Sequence, residues 1–373
     1  MRPAAGVLGI LFLSGALLAE TPNNPARGRS HFNDVARFVA GLPPEKGSTV
    51  HRTLLESADW THFSEAFDQR WQAYQKGSLD KIKSWRDTEL AALDGEVKTV
   101  FYPFAGPDFV NAYSFFPHAE RYVLVGLEPA GSFPELTDVG AAPTLRDYLR
   151  SLGRSLNAVM TFSFFRTNDL TSDLKTGRLD GTTHVLLLFL ARTGNRVTNV
   201  RPIMLDPEGL VVLSRPIERD RALSRGIEFS FVAPGGQEKT LLYFSVNLSD
   251  STLKTSPGFR RYLENLGPMT TYVKAATYLM HKPYFSTVRE AVLAQSRLLL
   301  QDDSGIPYRA FSRDVWKVKL YGSYDRPVAL FTAFYQDDLR LAYAGGNVPL
   351  TFGIGYQYRL NHSNLMLATR RRP

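Results

Sequence analysis

The chain has 373 residues, 44% apolar and 21% charged, an ordinary balance for a folded protein with one large core or two. Its 44 Lys and Arg against 36 Asp and Glu give a net charge of +8, yet no run of five basic residues and no basic stripe interleaved with aromatics occurs, which argues against a nucleic-acid partner. Cysteine is absent, which excludes disulfides, thiol nucleophiles, thiolate metal sites and an amino-terminal lipoprotein anchor. Arg370, Arg371 and Arg372 supply part of the charge at the very end, and the remainder is spread thinly, enough for weak association with an anionic surface.

Residues 1–19 place Arg2 ahead of an apolar run and end in Ala19, the plan of a secretory signal peptide. The run is short beside the roughly 20 apolar residues of a membrane span. Leu17 stands where a small residue is expected before the cut, so an uncleaved anchor stays open. This reading puts the mature protein in the periplasm or outside the cell, with no membrane span of its own.

Residues 20–94 read as a helical cap. Phe32, Val35, Phe38 and Val39 share a face, and Leu42-Pro43-Pro44 ends that helix. Trp60, Phe63, Phe67, Trp71 and Tyr74 recur at spacings of three and four, a stripe that reads as core packing. A break is expected at Gly77-Ser78, after which Ile82, Trp85, Leu90 and Leu93 continue the pattern.

Residues 95–345 then read as a Rossmann-like domain. A strand at 97–101, a tight turn at 103–106, a helix opened by Pro107 and a strand at 122–127 form a βαβ unit, beyond whose strand ends a ligand would sit. A helix is expected at 143–152, while 157–166 reads equally as helix or strand. Short apolar runs at 183–191, 197–205, 210–213, 227–232 and 240–246 predict an antiparallel meander over 183–246. Helices are expected at 256–267, 270–280 and 286–301, the last broken by Asp302-Asp303-Ser304-Gly305 in a solvated turn. His281-Lys282-Pro283-Tyr284 reads as a helix connector. Closing strands are expected at 316–321 and 328–334, and the Tyr- and Gly-rich tail 346–373 carries edge strands at 352–358 and 365–368. The fold class is α/β, or α+β: a Rossmann-like mixed sheet with an antiparallel meander and a helical cap.

The stretch VFYPFAGPDFVNAYSFFPHAERYVLVGLEP, residues 100–129, carries one likeness. Residues 97–129 resemble the first βαβ unit of Rossmann-type methyltransferases. The resemblance implies that the turn 103–106 meets the methionine end of S-adenosylmethionine and that Glu128 holds the ribose hydroxyls. The chain departs from that pattern in two places. Tyr102 stands where an acid is usual, and Pro107-Asp108 replaces the second glycine, where backbone must approach the cofactor closely. The likeness is therefore read for fold and not for methyl transfer, and no cofactor is expected.

Three carboxylates at predicted strand ends, Asp108, Glu128 and Asp250, could act as acid and base if their surroundings separate their pKa values. Tyr102, Phe104, Gly106, Ser245 and Asn247 would complete a ligand-binding rim with Asp108 and Glu128. Simpler roles compete with each: Asp108 as a helix cap, Glu128 as a solvated loop acid, Asn247 and Asp250 as turn formers. The seven histidines are scattered without an HExxH pair, and neither Asp302-Asp303 nor Asp337-Asp338 has the alternating ligands of a calcium loop, so no metal site is expected. No GxSxG elbow or phosphate-binding loop occurs. Three functions remain: an exported binder of a small polar molecule or cell-envelope component in a crevice at the strand ends; a hydrolase or transferase working through strand-end carboxylates; or a non-catalytic envelope protein that docks a partner. Convergence of the strand-end clusters on one cavity separates the first two from the third.

Overall fold

The structure is a computed structural model describing residues 28–137, 142–162, 179–214 and 224–371. The signal-peptide expectation for residues 1–19 lies outside the described residues.

Along the central strands apolar side chains point alternately to two faces, and both faces are buried, as a doubly covered sheet requires. In β1 (Thr99–Tyr102) Val100 and Tyr102 enter one core and Phe101 the other; in β2 (Arg121–Gly126) Tyr122 and Leu124 alternate likewise with Val123 and Val125. The other strands are β3 (Arg196–Leu205), β4 (Val211–Leu213), β5 (Arg225–Val232), β6 (Glu238–Ser245), β7 (Met269–Val273), β8 (Ser296–Gln301), β9 (Trp316–Gly322) and β10 (Asn364–Arg370). They form a single mixed sheet in the order β4-β3-β5-β6-β2-β1-β7-β8-β10-β9. The five middle strands, β6 to β8, are parallel, with Val100 opposite Tyr122 on one side and Thr270 on the other. Antiparallel strands extend both flanks.

Helices cover both faces. Toward one lie α1 (Arg29–Val39), α2 (Arg52–Leu55), α3 (Ala58–Tyr74), α4 (Asp80–Glu89), α5 (Phe109–Phe115), α6 (Ala142–Phe162) and α7 (Thr183–Arg192). Toward the other lie α8 (Asp250–Thr255), α9 (Pro257–Asn265), α10 (Ser286–Gln295) and α11 (Asp337–Ala344). The predicted aromatic stripe of α3 is core: Phe67 is fully buried, its ring 5.7 Å from Phe63 and 6.3 Å from Trp71. Burying each such ring contributes about 1.5–3 kcal/mol. No helix among the described residues is long and apolar enough to cross a membrane.

Several elements differ from their sequence reading, each for a packing reason. Residues 183–191, read as the first strand of the meander, form α7, because a helix buried on all sides has the same unbroken apolar run as a buried strand. The meander proper is β3 to β6. Residues 270–280, read as helix, contain β7 and then an irregular loop, and the helix expected to reach Gln301 ends at Gln295 and becomes β8. Gly77-Ser78 does not break the cap: a π-helical turn, Gln75–Leu79, carries α3 directly into α4. Residues 328–334 form 3₁₀ turns instead of a strand, and no strand forms at 352–358. β10 is not an edge: it lies between β8 and β9, drawn inward by its apolar Leu365–Ala368 stretch.

Candidate functional site

The chain leaves β1 toward β2 on one side, and β7 is laid down on the other, so the sheet order reverses between β1 and β7. In open α/β sheets that reversal splays the connecting loops and opens a crevice beyond the carboxyl ends. The backbone is unusual at this point. Of the five non-glycine residues with positive φ among the described residues, four follow these two strands: Phe104 (60°), Ala275 (49°), Thr277 (53°) and Tyr278 (52°). Each costs about 1–2 kcal/mol, so neighbouring groups must hold it.

The loop after β7 is held through its amides. Asp302 Oδ2 accepts from the Ala275 N–H at 2.8 Å, Ser304 Oγ from Ala276 at 2.8 Å, and the Tyr356 hydroxyl oxygen from Thr277 at 3.1 Å. The Tyr278 hydroxyl donates to Asp303 Oδ2. Asp302 and Asp303, expected in a solvated turn, are instead buried at the carboxyl end of β8. Burial and the adjacent Asp303 push Asp302 up to about 7, against the hydrogen bonds from Ser304 and Ala275; Asp303 is also raised, by burial. A Cβ at Gly355 (φ 68°) would lie 2.1 Å from Asp302 Oδ2, so the covering loop approaches this closely only with glycine there.

Asp108 stands at the N-cap position of α5 but makes no capping bond. Its Oδ2 accepts from the Tyr102 hydroxyl at 2.9 Å and pairs with Lys274 Nζ at 2.7 Å; its Oδ1 accepts from Asn111 Nδ2 at 2.8 Å. Lys274 and Asp108 are only 1% and 2% exposed, so this is a fully buried ion pair. It lies where the alternation of β7 brings Tyr272 and Lys274 to the face shared by Tyr102, whose ring centroid is 4.6 Å from that of Tyr272. Burial, then the charge of Asp108, raises both tyrosines well above their usual range. The Tyr272 hydroxyl and Asn111 Oδ1 have no hydrogen-bond partner among the described residues, an unusual condition for buried polar atoms.

A cavity of about 360 Å³ lies beside this network, none of whose residues lines it. Arg70, Tyr74, Ser78, Thr161 and Tyr358 supply its polar wall and Met160 an apolar side. Tyr74 joins cavity to network, its hydroxyl oxygen facing Asn111 Nδ2 at 3.4 Å. Gly353, on the opposite wall, is two residues from the Gly355 that abuts Asp302. The cavity is therefore walled by α3 with its π turn, the end of α6 and the loop that carries Gly353 and Tyr358.

The residues singled out from the sequence separate into groups. Tyr102 and Asp108 meet in the buried network, below the cavity lining. Gly106 (φ 54°) and Glu128 touch on the other side of the turn: the Glu128 carboxylate lies 3.6 Å from the Gly106 Cβ direction and 2.7 Å from that of Gly126. Glu128 is buried, not solvated, and accepts the Tyr243 hydroxyl at its backbone oxygen at 2.8 Å. Phe104 turns to the opposite face and packs on Phe285 at 5.7 Å. Asp250 caps α10, accepting from the Ser286 and Thr287 amides at 3.1 and 2.9 Å. Burial would raise its pKa, but those bonds outweigh burial and hold it below the usual carboxylate range. Asn247 is exposed and accepts from Ser249 N–H within its own turn, and Ser245 Oγ donates to Leu127 O at 3.4 Å. None of the three expected clusters, around Asp108, Glu128 and Asp250, contributes a residue to the cavity lining, so the expected convergence on one cavity is not found.

Lys274, Asn111 and Tyr272 are not picked out from the sequence, and Asp302-Asp303 is weighed there only as a cation doublet and a solvated turn. One signal was present: a lysine directly after the β-branched and aromatic run Thr270–Val273, natural at a buried strand end. Among the described residues no group of three His, Asp or Glu is arranged to hold a metal ion. No protein-family model matches the chain, and no curated protein is significantly similar to it.

Proposed function

We propose that this protein binds a small polar molecule, free or as part of the cell envelope, in the cavity walled by Arg70, Ser78, Thr161 and Tyr358, which Tyr74 and Asn111 join to the buried Asp108–Lys274 pair at the β1–β7 reversal. The observation that carries the reading is the concentration of left-handed residues at Phe104, Ala275, Thr277 and Tyr278, in the loops of the two strands flanking that reversal. Strain of this kind persists where surrounding structure over-determines it, and its common use is to pre-organise a site. The cavity volume falls within the roughly 300–1000 Å³ of small-molecule sites. The exported location expected from residues 1–19 belongs to the same proposal.

A second reading, acid–base catalysis, is favoured by one observation. Asp302 titrates near neutrality beside a second buried carboxyl, Asp303, an arrangement suited to proton transfer. Methyl transfer is not proposed. The Glu128 carboxylate is folded against Gly126 and Gly106 and buried, which leaves it badly placed to receive a ribose. Calorimetry with millimolar S-adenosylmethionine is expected to give no saturation, and micromolar binding would reverse this view.

Mass spectrometry of the gently purified chain is expected to find a retained small polar molecule. Ser78→Trp, which fills the cavity from the exposed π turn, is expected to abolish retention while leaving the unfolding transition unchanged. Retention unaffected by Ser78→Trp would move the site elsewhere.

A further inference from the structure

Resting on the reading above, we infer that the occupant of this cavity is a small hydroxylated anion, a hydroxycarboxylate or a sugar phosphate, gripped by Arg70. Arg70 is the one charged side chain in the cavity lining among the described residues. It has no carboxylate partner among them: its Nε donates to Ala66 O at 3.3 Å within its own helix, and its guanidinium lies 5.7 Å from the Phe67 ring centre. Arg192, near the same ring, shows the contrast, since its Nη1 is paired with Asp68 at 2.7 Å. A planar guanidinium fork left without an acid matches carboxylate and phosphate oxygens in a two-point contact.

The rest of the lining selects for hydroxyls. Ser78 and Thr161 each bring a hydroxyl that can both give and accept a hydrogen bond, while the Tyr74 hydroxyl is turned to Asn111. The π turn that follows Tyr74 contributes Gly77 and Ser78 to the wall, and nothing lies within 4 Å of the Gly77 Cβ direction. Such turns recur at functional sites because they displace side chains from the regular helical face. Behind Tyr74 the Asn111 side chain keeps a fully buried acceptor with no partner among the described residues.

Calorimetry of the full chain with gluconate, glucose 6-phosphate and neutral sorbitol tests the assignment. At least one of the two anions is expected to saturate in the submillimolar range and sorbitol is not; which anion binds distinguishes carboxylate from phosphate. Arg70→Ala should weaken the anion about ten-fold or more, and Arg70→Lys should recover part of the loss by restoring the charge without the fork. Arg70 is exposed at the helix surface, so both variants are expected to fold. Equal binding of sorbitol, or no effect of Arg70→Ala, overturns the anion assignment and leaves the cavity reading standing. Silence from all three probes overturns the assignment too, and an empty retained-molecule spectrum beside it removes the cavity reading as well.

Discussion

Replacing Lys274 with Met is expected to lower the unfolding free energy by about 3–5 kcal/mol, the range for breaking a buried ion pair by removing one partner. The cause is what remains. Asp108 is 2% exposed, and without the ammonium 2.7 Å away its carboxylate keeps hydrogen bonds from Tyr102 and Asn111 but no neutralising charge. The lysine stem contributes little to this loss, because Met fills nearly the same volume. Asp108→Asn combined with Lys274→Met removes both charges and should recover a substantial part of the stability. Urea unfolding of the two single variants and the double variant gives the coupling directly, provided the slope with denaturant stays constant. A loss below about 1 kcal/mol for Lys274→Met would contradict a buried pair of this strength.

The second large effect is a fall in stability with rising pH. Asp302 sits at about 7 in the folded chain, and an unfolded aspartate titrates near 3.9. Between these values the folded state binds the proton that the unfolded state has lost. The contribution is thus fully present below pH ~4 and is lost as pH rises through about 7, at about 1.4 kcal/mol per unit and roughly 4 kcal/mol at most. Asp303 is shifted in the same direction and shares the proton, so the pair titrates as a unit. Facing the pair are the hydroxyls of Tyr278 and Ser304, the Asn364 amide and the Ala275 N–H, none of which carries charge at neutral pH. Unfolding free energies measured from pH 5 to 8 should decline in the native chain and be flatter in Asp302→Asn. The variant should also be less stable at low pH, since its amide cannot accept from Ala275 and Ser304 together. An identical slope in both proteins would assign the pH dependence to other groups.

Both variants act at the loop that follows β7, Lys274 at its start and Asp302 against its Ala275 amide, an arrangement that the sequence reading could not reach. Some of the molecule was plain in one dimension. The nearly continuous apolar run at 122–127 behind the strand at 97–101, the separate short apolar runs between 197 and 246, and the three- and four-residue spacing of Trp60 to Tyr74 specified the first βαβ unit, most of the antiparallel strands and the cap. Local periodicity suffices where one face is buried and the other is not, because the pattern then records which side meets water. It fails where an element is buried all round. The apolar runs 122–127 and 183–191 both read as strands, yet packing makes one β2 and the other α7.

The candidate site shows the same division. The sequence by itself marked the turn after β1 and drew attention to Tyr102 and Asp108, because a turn with that residue pattern must follow a strand and open a helix. Only the tertiary structure decided that Asp108 pairs with a lysine 166 positions later, that Asp302 and Asp303 are buried, and that Asp250 is a helix cap. The physical reason is that charge and strain are settled by neighbours across the sheet. Whether a carboxylate is a solvated turn, a cap or half of a buried pair depends on the group that strand order brings within about 3 Å, and strand order is set by long-range packing that no local pattern records.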